Sequence, residues 1–442
     1  MNLPQEHYIA HLTAVSKSNT VILTEDVLNH RGILVVTKGT EVDKDCALKI
    51  AKHKLMKPLD LSICLTSTIN QKSSFEFFIS RLNDMKLSDI VRQNGMYQDA
   101  FEAFHLLTKY PLITQKLTVL AERMPNVFAS SLLNSVMSLS LCKELQLSKQ
   151  TTEHVFLANI ISDVGLLHIN PDIVFKEGLY GEEERMLMQG HVVIAKYFAD
   201  LVPNLPKAVS NAVFEHHERP DGFGYPFSKH STQLCIEGQV LAMVDKVSAI
   251  YRKLVTNGPH SWTSVIAVMQ VPSTAHNVPV HKAMMRVLKT FPVTYKPAFT
   301  REQFERLTEI CIEKPERLNL WFKEFKRIYI EHEAFMTDSE NFKPLKLYKL
   351  LEHTVVDSGA LTEIQHTWLI GLTRNLQQTD FLDIEEFSLV LDEVEYQCFF
   401  VMRKLVSEKE ELIKRFNGIE LINTYYRGLM CVLQPEGYER ST

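Results

Sequence analysis

Between residues 74 and 295 apolar side chains recur at spacings of three and four, and one Gly/Pro-rich stretch, 218–232, breaks the pattern. Leu132, Leu133, Val136, Met137, Leu139, Leu141 and Leu145 form one such stripe. This period buries one face of a helix. It predicts helices over 155–167, Glu182–Leu201, Ala208–His217 and Leu234–Leu254. The period continues beyond residue 300, with candidate helices at Glu302–Cys311, Leu318–Glu333, Thr362–Gln377, Ile384–Leu412 and Gly418–Leu433.

Residues 1–70 have a different texture. Val21-Ile22-Leu23 and Ile33-Leu34-Val35-Val36 are β-rich, His30-Arg31-Gly32 and Lys38-Gly39 punctuate them, and Asp43 can cap a helix starting near Cys46. The chain therefore reads as mainly α in three parts: a small α/β module at 1–70, a helical domain at 74–295 and a helical C-terminal domain at 300–442. A length of 442 residues fits two or three domains.

Charge excludes one class of function. Residues 301–442 hold 18 Lys+Arg against 26 Asp+Glu, which leaves 30 against 27 for residues 1–300. Neither part is basic enough for general DNA binding. The seven cysteines are scattered without a Cys-x-x-Cys pair, as expected for reduced thiols in a cytoplasm. No signal peptide and no apolar run near the ~20 residues of a membrane span are recognised, so a cytoplasmic protein is expected.

Five side chains stand out. Asp163 interrupts a largely apolar helix and Asp245 does the same in Met243-Val244-Asp245. A buried carboxylate needs a compensating partner. His191 lies one helix downstream of Asp163, and His216-His217-Glu218 ends the next helix. Imidazoles and carboxylates on four consecutive helices make a plausible metal cradle. Taken singly, each has a plainer reading, as a helix–helix hydrogen-bond partner or a solvated helix end. The ordered combination with the loop Arg219-Pro220-Asp221-Gly222-Phe223-Gly224-Tyr225-Pro226 favours the cradle.

In that order these residues resemble the HD-GYP family, the branch of the HD phosphohydrolases that hydrolyses cyclic di-GMP. The resemblance covers roughly residues 120–290 and is most specific at 216–226. It implies a two-metal site. One ion would use Asp163, His191 and His216, with His217 adjacent; the other would use Asp163, Asp245 and two further histidines. Here those two positions hold Ser130 and Ser162, and the motif lysine is Leu166. The resemblance therefore implies a degenerate phosphodiesterase holding one divalent transition metal (Fe or Mn) or none. Arg219, Asp221, Gly222, Gly224, Tyr225 and Pro226 would bind a cyclic dinucleotide or a GGDEF-domain partner, or persist only as a rigid hinge. The N-terminal module can sense, dock or form a homodimer. An enzyme repaired by His168 or His154, and a nucleotide-independent adaptor, are the other readings.

Overall fold

The structure is a computed structural model that describes residues 5–84, 95–178, 180–256, 258–260, 262–271, 276–290, 297–331 and 343–407. The helix expected at Gly418–Leu433 and the thiol of Cys431 lie outside these residues. The fold is mainly α, in two compact units: Met1–Ala249 with Ala275–Pro292, and Ile250–Thr274 with Val293–Thr442. Residues 1–70 and the helices that follow them thus share one unit. The division at 1–70, 74–295 and 300–442 stays a proposal about how the chain is partitioned in sequence.

The first unit opens with α1 (Glu6–Val15), unforeseen because its stripe of Tyr8, Leu12 and Val15 is short and Gln5 provides no side-chain cap. Four short strands follow, β1 (Val21–Leu23), β2 (Val27–Leu28), β3 (Leu34–Val36) and β4 (Ile63–Leu65); β1 pairs with β4 and β2 with β3, both antiparallel. Before the last of them comes α2 (Lys44–Ala51), where the Asp43 carboxylate accepts from Cys46 N at 2.7 Å, the expected cap. The polar stretch at 66–73 runs straight into α3 (Gln71–Asp84).

Helices α4 (Met96–Phe104), α5 (Pro111–Arg123), α6 (Pro125–Glu144) and α7 (Lys149–Ile161) build the apolar centre, with Phe104, Phe128 and Phe156 fully buried. Pro111 and Pro125 occupy first turns, where the missing N–H costs nothing. The helix expected over 155–167 stops at Ile161 and gives way to a 3-10 turn, Val164–His168. Gly165, a poor helix former, sits inside that turn. The short α8 (Pro171–Val174) leads to α9 (Glu182–Leu201) and α10 (Lys207–Glu215), and α11 (Ile236–Tyr251) follows the Gly-rich loop. The next helices are α12 (Trp262–Gln270), in the second unit, and α13 (Val278–Lys289), in the first.

The rest of the second unit is helical: α14 (Arg301–Glu331), α15 (Lys343–Ser358), α16 (Glu363–Arg374) and α17 (Phe381–Ser407). The two helices expected at Glu302–Cys311 and Leu318–Glu333 are one, running through Pro315. Trp321 is fully buried and Phe304 stacks on Phe381 at 4.1 Å. The acidic run 380–395 is not simply a solvated face. Glu385 is buried and accepts from His260 Nδ1 (2.9 Å), Ser264 Oγ (3.1 Å) and Ala298 N (3.3 Å), while Asp392 and Glu395 pair with Lys314. Residues 385 and 392 lie two helical turns apart on one face, which a linear charge count cannot see.

Helix α5 is the seam between the N-terminal residues and the helical layer. Ser18 Oγ donates to Glu122 at 3.0 Å, Ile69 N to Thr118 Oγ1 at 2.9 Å, and Gln115 Nε2 to the Asp60 carbonyl at 3.2 Å. At its centre the buried Lys116 ammonium lies 2.8 Å from Asp60 Oδ1 and 3.3 Å above the Tyr8 ring. Burial lowers the Lys116 pKa, and the Lys116 charge holds Asp60 below its usual value against the opposing effect of its own burial. Removing one partner strands a charge. Lys116→Met is expected to cost about 3–5 kcal/mol, and Asp60→Leu with Lys116→Met to recover most of it. Urea unfolding of the full chain checks both; equal midpoints for Lys116→Met and the parent would refute the pairing.

Candidate metal centre

Three elements carry the centre. Asp163 stands at the head of the 3-10 turn, His191 lies within α9, and His216 and His217 end α10. These elements approach closely because Gly165 has no side chain: a Cβ there would lie 2.1 Å from the His191 carbonyl oxygen. Asp163 Oδ1 is 3.7 Å from His191 Nε2. His191 Nε2 is 3.3 Å from His216 Nε2, and the His216 and His217 rings are 4.1 Å apart. His217 Nδ1 lies 3.9 Å from Asp245 Oδ2 on α11. All five residues picked from the sequence thus join one chain of close approaches.

Two of those expectations need correction. Asp163 is not inside a helix, and neither carboxylate is sealed in: the side chains of Asp163 and Asp245 are 21% and 34% exposed. The compensating partners of Asp163 are the His191 imidazole and solvent.

The imidazole geometry fits a cation. His191 Nδ1 lies 2.5 Å from the Met188 carbonyl and His216 Nδ1 lies 2.6 Å from that of Val213. Each ring spends its Nδ1 proton within its own helix, which turns the Nε2 atoms to one another. A neutral pair so held faces lone pair against lone pair, and a divalent metal resolves that repulsion. Burial, then the neighbouring His216, lowers the His191 pKa to about 4. Burial, His216 and His191 lower that of His217 as well. Neutral imidazole is the ligating form. Ligand atoms of His191, His216 and His217 all lie within 4.8 Å of one another, the one such group among the described residues.

The two positions where the resemblance implies further histidines hold serines. Ser162 is buried and donates to the Asn159 carbonyl at 2.9 Å; Ser130 Oγ donates to that of Asn126 at 3.0 Å. Leu166 is buried. The two histidines considered as replacements are engaged elsewhere: His168 Nε2 is 2.9 Å from Lys116 Nζ, and His154 lies 3.8 Å from Glu237.

The loop after α10 folds over the centre. Tyr225 stacks on His217 with ring centroids 4.8 Å apart, and burial, then Asp245 and Asp163, raises its pKa. Gly222 has φ +79°, and a Cβ on Gly224 would lie 2.4 Å from Arg219 N, so both glycines are required by the backbone path. Arg219 grips Asp221 through Nε (3.0 Å) and Nη2 (2.6 Å), and Asp221 also accepts from Phe223 N. Pro226 is half-buried beside Tyr225. Sequence reasoning underrated three residues. Glu218, buried, accepts from Phe227 N (2.6 Å) and Lys229 N (2.8 Å); Glu215 binds Lys229 Nζ and Cys235 N. Phe227 is an exposed ring, 68% accessible. The His-His-Glu run was the available signal for Glu218.

Residues 111–276 match the family described as HD domain. The chain is 27% identical over 222 residues to the 3'3'-cGAMP-specific phosphodiesterase 1 of Vibrio cholerae, covering 47% of this chain and 51% of that one. It is 24% identical over 159 residues to the cyclic di-GMP phosphodiesterase PA4108 of Pseudomonas aeruginosa, covering 35% and 37%. The matched region thus spans about half or less of these relatives. The His216–Pro226 loop that resembles the HD-GYP family lies inside the residues that match the HD domain. Among the described residues no helix is long and apolar enough to cross a membrane.

Two outcomes are expected from this geometry. With His191 near pKa 4 in the fold and about 6.5 when unfolded, the unfolded chain binds more protons between those values. Stability of the metal-free chain should therefore fall as pH drops from about 6.5 to 4, and His191→Gln should flatten the slope. Urea midpoints across that range test this; parallel slopes would contradict it. Gly165→Ala should cost about 1–3 kcal/mol through overpacking and weaken Mn²⁺ binding by parting Asp163 from His191. Thermal unfolding and metal titration read the two effects.

Proposed function

We propose that the protein is a cytoplasmic cyclic di-GMP signalling protein in which HD-GYP chemistry is absent or weak, and which acts by binding the dinucleotide or a GGDEF-domain partner through residues 216–226. The observation that carries this reading is the asymmetry of the centre. His191, His216 and His217 gather with Asp163, while the positions where the resemblance implies two further histidines hold Ser130 and Ser162, whose hydroxyls donate to the Asn126 and Asn159 carbonyls.

Asp163, His191, His216 and His217 would hold one Fe or Mn ion; three imidazoles and a carboxylate suit such metals. When bound, that ion supplies Lewis acidity and lowers the pKa of a ligating water. Hydrolysis of this class uses two ions about 3.5–4 Å apart. Asp245 alone, with two serine hydroxyls, is a poor second site. Buried Leu166 also offers no positive charge to a reacting phosphate; loss of one such stabilising group typically costs about 10²–10³ in rate. Tyr225 and exposed Phe227 provide ring surfaces for a guanine or a partner. Arg219, held by Asp221, would add a guanidinium for phosphate.

An active phosphodiesterase is the second reading, favoured by the activities for which the Vibrio and Pseudomonas relatives are named. Calorimetric titration of the full chain with cyclic di-GMP and with 3'3'-cGAMP, with metal analysis and product assay on the same sample, separates the two. Binding without product at one metal per chain is expected. Turnover lost in Asp163→Ala would establish an enzyme instead, and neither binding nor metal would leave a nucleotide-independent adaptor.

A further inference from the structure

The 3-10 turn Val164–His168 touches the metal centre at one end and the N-terminal residues at the other. Asp163 stands at its head, and its carbonyl accepts from Leu166 N at 3.0 Å. Gly165, in its middle, is pressed on the α9 backbone at His191. His168, its last residue, is buried, stacks on Tyr8 of α1 at 4.7 Å, and reaches Lys116 Nζ at 2.9 Å. Lys116 in turn holds Asp60, which lies just ahead of β4.

We propose that this turn is a coupling element: contacts of Tyr8, Asp60 and Lys116 with His168 set the position of Asp163, and with it the affinity of the centre for a divalent metal. The inference rests on the metal centre proposed above and is independent of any nucleotide. Three observations carry it. A 3-10 turn of five residues spans only about 10 Å, so a displacement at His168 has little chain in which to dissipate before Asp163. Gly165 cannot absorb it by sliding, because the His191 carbonyl already occupies the space of a Cβ. The polar seam also gives Lys116 a partner on each side, Asp60 from the N-terminal residues and His168 from the turn, which apolar packing would not. A cavity of about 40 Å³ lined by Tyr8, Asp60, His168 and Tyr197 borders the cluster. Tyr8, Asp60 and Lys116 are thus positioning residues for Asp163.

The test is calorimetric titration of the full chain with Mn²⁺, in the parent, in Asp60→Leu/Lys116→Met and in Tyr8→Leu. The paired replacement removes both charges together, so it avoids the stranded ion that destabilises a single variant. Mn²⁺ affinity is expected to fall at least about fivefold in both variants, the low end of ordinary site-to-site coupling. Linkage requires the converse, so Mn²⁺ should raise amide-exchange protection in residues 5–15 and 59–65 of the parent. Affinity within about twofold of the parent in folded variants, with protection confined to 182–226, would overturn the coupling while leaving the metal centre intact. Absence of Mn²⁺ binding in the parent would remove the centre and the coupling together.

Discussion

The close approach of Gly165 to the His191 carbonyl is the contact on which the rest of the site depends. Asp163 and His191 belong to different elements, and only a residue without a Cβ lets those elements meet. The apolar run 155–167 leaves the α-helix after Ile161 and continues, past Asp163, through the 3-10 turn to His168. One backbone approach thus sets both the ligand geometry and the connection to α1 and α5.

Electrostatically the centre is one-sided. Burial keeps His191 and His217 in the neutral form that binds metal, and the two half-exposed carboxylates flank them at opposite ends. Ser162, just after α7, and Ser130, on α6, donate to local carbonyls. A hydroxyl so engaged costs the fold nothing and offers a metal little. The loop holds its shape by bonds of its own: Glu218, Asp221 and Arg219 bond within it.

Much of this was legible in the sequence. The 3.6-residue period located α9, α10 and α11 to within a few residues, and the fixed order of Asp163, His191, His216 and His217 around a Gly-rich loop singled out the cluster. Gly222 and Gly224 announced a backbone that side chains would block, and both proved to be packed against main chain or a ring. Less legible were the features made by separation in sequence. Lys116 reads as one more polar residue on a helix, and nothing local pairs it with Asp60, 56 positions earlier. Glu385 is hidden in an acidic run whose neighbours do face solvent.

Local pattern by itself determined that the chain is mainly α and which residues can ligate a metal. Those are properties of residue type and short-range spacing, and both are written along the chain. The tertiary structure alone decided that Asp163 sits on a turn and is partly solvated, that His168 serves a buried lysine and cannot serve the metal, and that residues 1–70 pack into the same unit as the centre. Each of these follows from burial and distance between segments far apart in sequence, where desolvation sets the energy of every charge and no linear pattern records the neighbour.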